Sequence, residues 1–209
     1  MKNIQVNKEH YDFLSYEYMT RFASYFFQLK TIHELMPSKI LEIGKGSGLF
    51  SRELKNNNFD LVILDFDSNL NPDIVGDIRE LPFPKESFDC ICAFQVLEHL
   101  PFEDFSISIK ELKRVSKKYI FISLPNAGRY FKYDLVIPKI GRLRKMISLS
   151  KFKKDIHVFD GEHYWEINKV NYDESIIKEI LICKDWELLL EERLFENPYH
   201  QFYLLGKRK

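Results

Sequence analysis

The run from Ile40 to Ser51, ILEIGKGSGLFS, constrains this chain more than any other stretch. A short apolar strand passes through an acidic residue, Glu42, and then meets glycines at every second position, Gly44, Gly46 and Gly48, ahead of a helix. Residues without a Cβ let the backbone turn with positive φ and come close to a ligand. The first N–H groups of the following helix point at the same place. Such a strand, turn and helix reads as a nucleotide-cofactor loop, and the residues downstream must say which cofactor.

The rest of the pattern supports an alternating fold. Spacings of three or four among Leu14, Tyr18, Phe22, Phe26, Leu29 and Ile32 predict one amphipathic helix over about 11–36, stopped by Pro37. Strands are expected at 40–43, 61–66, near Ile74, at 88–94 and 119–124, with helices to about Lys55 and over about 103–116 between them. A helix from about 173 to 183 and strands at 186–194 and 201–205 follow, the last two linked by ENPYH, read as a simple turn. Interleaved apolar strands and helices predict an α/β three-layer sandwich around a mostly parallel sheet. Its 209 residues suit a single domain.

Charge and cysteine content exclude some classes. Thirty-one basic residues balance thirty-one acidic ones, so global charge argues for neither a nucleic-acid partner nor an anionic surface. Cys90, Cys92 and Cys183 are an odd number with no secretory signal, which favours a reducing cytoplasm over a disulfide framework. Cys90 and Cys92 share one strand face and read as buried small hydrophobes. No apolar run approaches the roughly 20 residues of a membrane span.

Acidic residues close the predicted strands on the side where an open parallel sheet holds its ligand. Glu42 closes the first strand, and Asp65, about 20 residues beyond the glycine turn, closes the second, where a carboxylate can accept both hydroxyls of a ribose. Asp77, in VGDIRELPF, closes the third and offers an acceptor for an exocyclic adenine amine.

EIGKGSG, ILDFD, GDIRELPF, SFDCICAFQVLEHLP and YIFISLPN, in that order over about 38–126, resemble the class I S-adenosylmethionine-dependent methyltransferases, in the type 11-like small-molecule branch. The resemblance implies a Rossmann-like seven-stranded sheet in the order 3-2-1-4-5-7-6 with strand 7 antiparallel. It implies S-adenosyl-L-methionine as cofactor, with Glu42, Gly44, Lys45, Gly46 and Gly48 around its methionine part. Asp65 and Phe66 then belong at the ribose, Asp77 and Ile78 at the adenine, and Phe94 and Gln95 near the amino acid end. Lys45 departs from the small residue usual in that turn, and its side chain is expected in solvent.

Two rival classes bear on the same residues. A dinucleotide fingerprint laid on Gly44 and Gly46 would put its last small residue at Leu49, where bulk obstructs helix packing, and Glu42 is ill placed beside a pyrophosphate. An NAD(P)-dependent oxidoreductase is therefore disfavoured. A non-catalytic binding module that keeps the fold stays open, because no residue is compelled to act as a general base.

The acceptor side is less defined. His99 and His163 are the candidate catalytic residues, with His157 a further candidate base and Tyr11 and Tyr164 as pocket-lining residues. VLEHLP resembles the ubiquinone-type O-methyltransferases, in which an earlier glutamate joins the Glu and His in holding a divalent metal. Gln95 stands at that earlier position here, which removes one charge from a hard-cation site, and no metal is expected.

From 126 to 155, nine basic residues face two acidic ones. Ile140, Leu143, Met146 or Ile147, and Leu149 or Phe152 give a roughly helical apolar stripe among these cations. The segment, to about 170, reads either as a lid-like insertion over the acceptor side, facing an anionic or sugar-linked small molecule or touching a lipid surface, or as an ordinary solvated helix with Lys and Arg outward. HVFDGEHYWEIN reads as a site-lining loop or as a Trp165 anchor.

Overall fold

The computed structural model describes residues 8–149 and 154–208. Nine strands and five α-helices are described: β1 (Lys39–Ile43), β2 (Asp60–Asp65), β3 (Ile74–Val75), β4 (Phe88–Phe94), β5 (Ser116–Pro125), β6 (Tyr130–Ile137), β7 (Gly141–Ser148), β8 (Trp186–Arg193) and β9 (His200–Lys207), with α1 (Phe13–Tyr16), α2 (Met19–Leu35), α3 (Leu49–Asn56), α4 (Phe102–Val115) and α5 (Glu174–Leu181). Seven strands form one sheet in the order β3-β2-β1-β4-β5-β9-β8. In sheet-strand sequence this is 3-2-1-4-5-7-6, and β9 runs antiparallel to both β5 and β8, as the motif resemblance implies.

Alternation along the central strands divides the core in two. Leu41, Ile43, Ile91, Ile120 and Ile122 face one side and pack with Phe105, Ile109 and Leu112 of α4 and Ile177 and Leu181 of α5. Ile40, Ile63, Cys90, Cys92 and Phe121 face the other and pack with Phe50 and Leu54 of α3 and Ile32 of α2. Cys90 and Cys92 are fully buried free thiols, so their reading as small hydrophobes holds. No helix among the described residues is long and apolar enough to cross a membrane.

Two expectations are corrected. The single N-terminal helix is instead a 3-10 turn, α1 and α2, broken at Glu17 and Tyr18, where Tyr18 is extended at φ −142°. Aromatic contacts override helical propensity there: the Arg21 guanidinium lies 3.8 Å from the Tyr16 ring centre, and Tyr25 donates to Glu17 Oε1 at 3.1 Å. The expected helical stripe after Pro125 is instead the antiparallel hairpin β6–β7, turning at Pro138 and Lys139 with Lys139 at φ 70°. The apolar residues of β6 recur every second position, Phe131, Tyr133, Leu135 and Ile137, and cross-strand pairing with β7 outweighs the looser helical spacing of Ile140, Leu143 and Ile147. Phe152, the far end of that stripe, lies outside the described residues.

Candidate functional site

The C-terminal ends of β1, β2 and β4 converge beside the first turns of α3. Gly44, Gly46 and Gly48 all take positive φ, at 82°, 52° and 74°. A Cβ on Gly44 would lie 2.4 Å from Cγ2 of Val96, so the turn can run against the loop after β4 only without one. Gly44 N also donates to Leu64 O at 2.9 Å, extending the β1–β2 ladder into the turn.

Glu42 sits on the α3 face of the sheet between Ile63 and Cys92, in register with both, and is 3% exposed. Burial pushes its pKa up to about 8, and its Oε2 has no hydrogen-bond partner. A buried acceptor without a donor carries a desolvation cost that a cationic ligand would remove. Asp65 accepts from Lys45 N at 2.6 Å through Oδ2 and from Asp67 N at 2.9 Å through Oδ1. Each oxygen keeps lone-pair capacity for a further donor. Burial raises the Asp65 pKa as well.

Lys45 does not point into solvent as its departure from the motif suggests. Its Nζ donates to Leu70 O at 2.6 Å and Asn71 O at 2.9 Å, tying the glycine turn to the loop after β2. Phe66 is 41% exposed beside Asp65, and Ile78 is buried. Asp77 lies beyond the two-residue β3 and is held by Arg79, whose Nη2 is 2.8 Å from Oδ2, and Arg79 also bonds Asp104. Phe94 packs its ring edge-on to Phe50 and Phe121, and Gln95 takes φ 54°. With its amide oriented to satisfy both ends, Gln95 donates to Glu98 Oε1 at 3.3 Å and accepts from Leu124 N at 3.2 Å.

Sequence reasoning missed how the N-terminal segment covers this turn. Tyr11 Cε1 and Tyr16 Oη come within 3.7 and 4.0 Å of where a Gly46 Cβ would sit, and Tyr25 Oη is 3.2 Å from Ser47 Oγ. Only the reading of Tyr11 as pocket-lining signalled this arrangement.

A second polar cluster stands at the ends of β4 and β9. Glu98 is fully buried, its Oε2 has no partner, and burial raises its pKa to about 7. His99 Nδ1 is 2.9 Å from Glu162 O, and burial, with His163 beside it, lowers its pKa to about 4. His163 is the more basic imidazole: burial opposes its charge, but Glu166, Glu98 and Asp160 together hold its pKa above the ordinary value. Tyr199 bridges these groups, donating to Glu166 and lying 3.2 Å from His163 Nδ1. Tyr199 was not anticipated, since ENPYH read as a turn, whereas Glu166 belongs to the segment read as a site-lining loop.

Ligand atoms of Glu98, His99 and His163 lie within 4.8 Å of one another, a nitrogen-rich set that could hold a metal ion, with His163 replacing the carboxylate that Gln95 lacks. His157 Nε2 is 2.8 Å from His163 O, so it braces the loop. Tyr164 is 38% exposed and joins the cluster only through its N–H to Glu98 O. Trp165 is fully buried against Phe102 and Phe105 and donates to Leu100 O at 3.1 Å, which makes it an anchor. Beside the cluster, a cleft of about 360 Å³ is lined by Thr20, Asn126, Gly128, Tyr130, Lys132 and Tyr199.

Residues 41–121 match the family model described as a methyltransferase domain. No curated protein matches the chain in sequence. Solved structures share its fold at low identity. An S-adenosylmethionine-dependent methyltransferase from Clostridium acetobutylicum is 11% identical over 96% of this chain and 97% of its own, with a TM-score of 0.62. The 1,6-didemethyltoxoflavin-N1-methyltransferase of Burkholderia thailandensis, solved with its substrate and S-adenosylhomocysteine, is 11% identical over 90% and 79%, at 0.58. Magnesium protoporphyrin IX methyltransferase from Synechocystis PCC 6803, with bound S-adenosylhomocysteine, is 12% identical over 99% and 90%, also at 0.58.

Proposed function

We propose that the chain is a class I methyltransferase, as the match over residues 41–121 and the strand order support, and that it uses S-adenosylmethionine to methylate a small-molecule acceptor. The observation that carries this reading is Glu42, a buried carboxylate with an unpartnered oxygen beside a glycine turn inside the matched segment. When bound, the cofactor supplies an electrophilic methyl group on a sulfonium that leaves readily. Glu42 would hold the ammonium and lose its proton in doing so, and Gly44, Gly46 and Gly48 would let the backbone approach. Asp65, with its second lone pairs, would accept from the ribose hydroxyls, while Phe66 and Ile78 would cover the adenine. Asp77, bonded to Arg79, would have to share an oxygen to reach the adenine amine.

His163 is the better of the two candidate bases, since His99 is held neutral by burial and bound through Nδ1. Holding the acceptor in line supplies most of the rate, and a base matters where the acceptor keeps its proton. The cleft beside Tyr199, with Lys132 on its wall, is the acceptor side, and the residues from about 126 to 170 act as its lid within one domain. Lys132, the one cation on the cleft wall, stands there with Glu196 and favours an anionic or sugar-linked acceptor.

Calorimetry with S-adenosylmethionine, S-adenosylhomocysteine and NAD(P) tests the cofactor. Binding of the first two and not the third is expected; binding of NAD(P) alone would overturn the reading. Tight S-adenosylhomocysteine binding without turnover on a panel of acceptors would instead identify a binding module.

A further inference from the structure

The β6–β7 hairpin presents two unlike faces, and among the described residues the contacts named below engage one of them. On the first face, Lys132 donates to Phe195 O at 3.1 Å, Arg144 bonds Glu196 at 2.5 Å and stacks 4.1 Å from the Phe195 ring centre, and Tyr130 lies under Arg193. That face is docked on the turn between β8 and β9. Register places Phe131 opposite Ile147, Tyr133 opposite Lys145 and Leu135 opposite Leu143, and these pairs share the other face.

The outward face is apolar and open. Phe131 is 57% exposed, Leu135 54%, Leu143 48% and Ile147 43%, and the turn adds Ile140 at 71%. Contiguous apolar surface of this kind marks an interaction site. Two cations accompany it, Lys139 at the turn and Lys145 within the face, while Asp134, the hairpin's one acid, stands on the first face and is bonded there by Arg142. An apolar face flanked by two lysines is matched by an acyl layer under anionic headgroups, because the long side chains reach the phosphates while the apolar groups enter the hydrocarbon. A phosphodiester backbone would pair with the cations but leave Leu135 and Leu143 in water, and a second copy placed face to face would oppose like charges.

We propose that the outward face of this hairpin docks the chain on an anionic membrane surface. The outward face lies back to back with the wall of the cleft formed by Tyr130 and Lys132, so the proposed acceptor side sits next to the bilayer.

Flotation of the full chain with large unilamellar vesicles tests this. Vesicles containing one-third phosphatidylglycerol should bind at least tenfold more protein than pure phosphatidylcholine, and 0.5 M salt should remove most of the difference. The double variant Leu135→Ser, Leu143→Ser and the double variant Lys139→Glu, Lys145→Glu should each lose tenfold or more. Both should keep the circular dichroism and melting temperature of the parent, because these side chains are exposed. Equal binding to both vesicle types, or unchanged binding by the serine variant, would overturn the proposal. So would a dimer in sedimentation that the serine variant dissolves, or single-stranded RNA binding that it leaves intact. Calorimetry with S-adenosylhomocysteine on the same samples keeps this result separate from the cofactor reading.

Discussion

The ends of β1 and β2 and the segment that follows β5 are built in opposite ways. At the first, the backbone does the shaping: three glycines at positive φ, a ladder hydrogen bond at Gly44, and carboxylates held by main-chain N–H groups at Asp65. At the second, side chains do it, through Tyr199, Glu166 and His163 in the cluster and Lys132 and Arg144 along the hairpin base. A backbone-built site is rigid and suits a ligand that never changes. A side-chain-built site on an inserted hairpin can be altered without disturbing the sheet, which fits the half of the reaction that differs between methyltransferases.

The comparison can be broken most severely at Glu42. Its folded pKa, about 8, lies above the ordinary 4.5, so protonation favours the fold. The sign follows: stability is fully present below pH 4.5 and is lost as pH rises through about 8. The loss is about 3 to 5 kcal/mol in the ligand-free chain. Glu42→Gln should flatten that dependence in chemical denaturation between pH 5 and 8.5. An unchanged slope would place the carboxylate in contact with water.

Gly44→Ala comes next. It combines a positive φ with a 2.4 Å approach to the stiff Val96 side chain and should cost about 2 to 4 kcal/mol in thermal unfolding. A neutral result would mean that the turn shifts freely and that the site is not backbone-built. Asp65→Ala removes an acceptor that two loop amides and the ribose would share, and should weaken S-adenosylhomocysteine binding by about 1 to 2 kcal/mol. Wild-type affinity in that variant would sink the ribose assignment.

The smallest effect on the cofactor is expected from the other region. His163→Gln and Glu166→Gln should leave S-adenosylhomocysteine affinity within about twofold, since both residues stand with Tyr199 in the second cluster, on the proposed acceptor side. A large loss there would merge the two regions into one site.

The same contrast explains what was legible in the sequence. The glycine turn, Glu42 and Asp65 carry their chemistry in residue type and short spacing, and the parallel strands carry theirs in local apolar runs, so the sheet order implied by the motifs is the order observed. The second cluster depends on contacts between distant residues. Tyr199 reaches Glu166 across 33 positions, Asn197 reaches Ser24 across 173, and no local pattern announces either. The hairpin misled for a related reason: Ile140, Leu143 and Ile147 fit a helix by spacing, and only pairing with β6 decides between the two. The bend at Glu17 and Tyr18 likewise depends on Arg21 and Tyr25 finding Tyr16 and Glu17.

Proton release on ligand binding reports on Glu42 as the partner of the cofactor's ammonium. If Glu42 is protonated in the free chain near neutral pH and meets the cofactor's ammonium, binding must expel a proton. Calorimetry of S-adenosylhomocysteine at pH 7 in buffers of different ionisation enthalpy should then show release of about one proton per site in the wild type and almost none in Glu42→Gln. Equal proton counts in the two proteins, or uptake in the wild type, would contradict the assignment of this turn as the methyl-donor site.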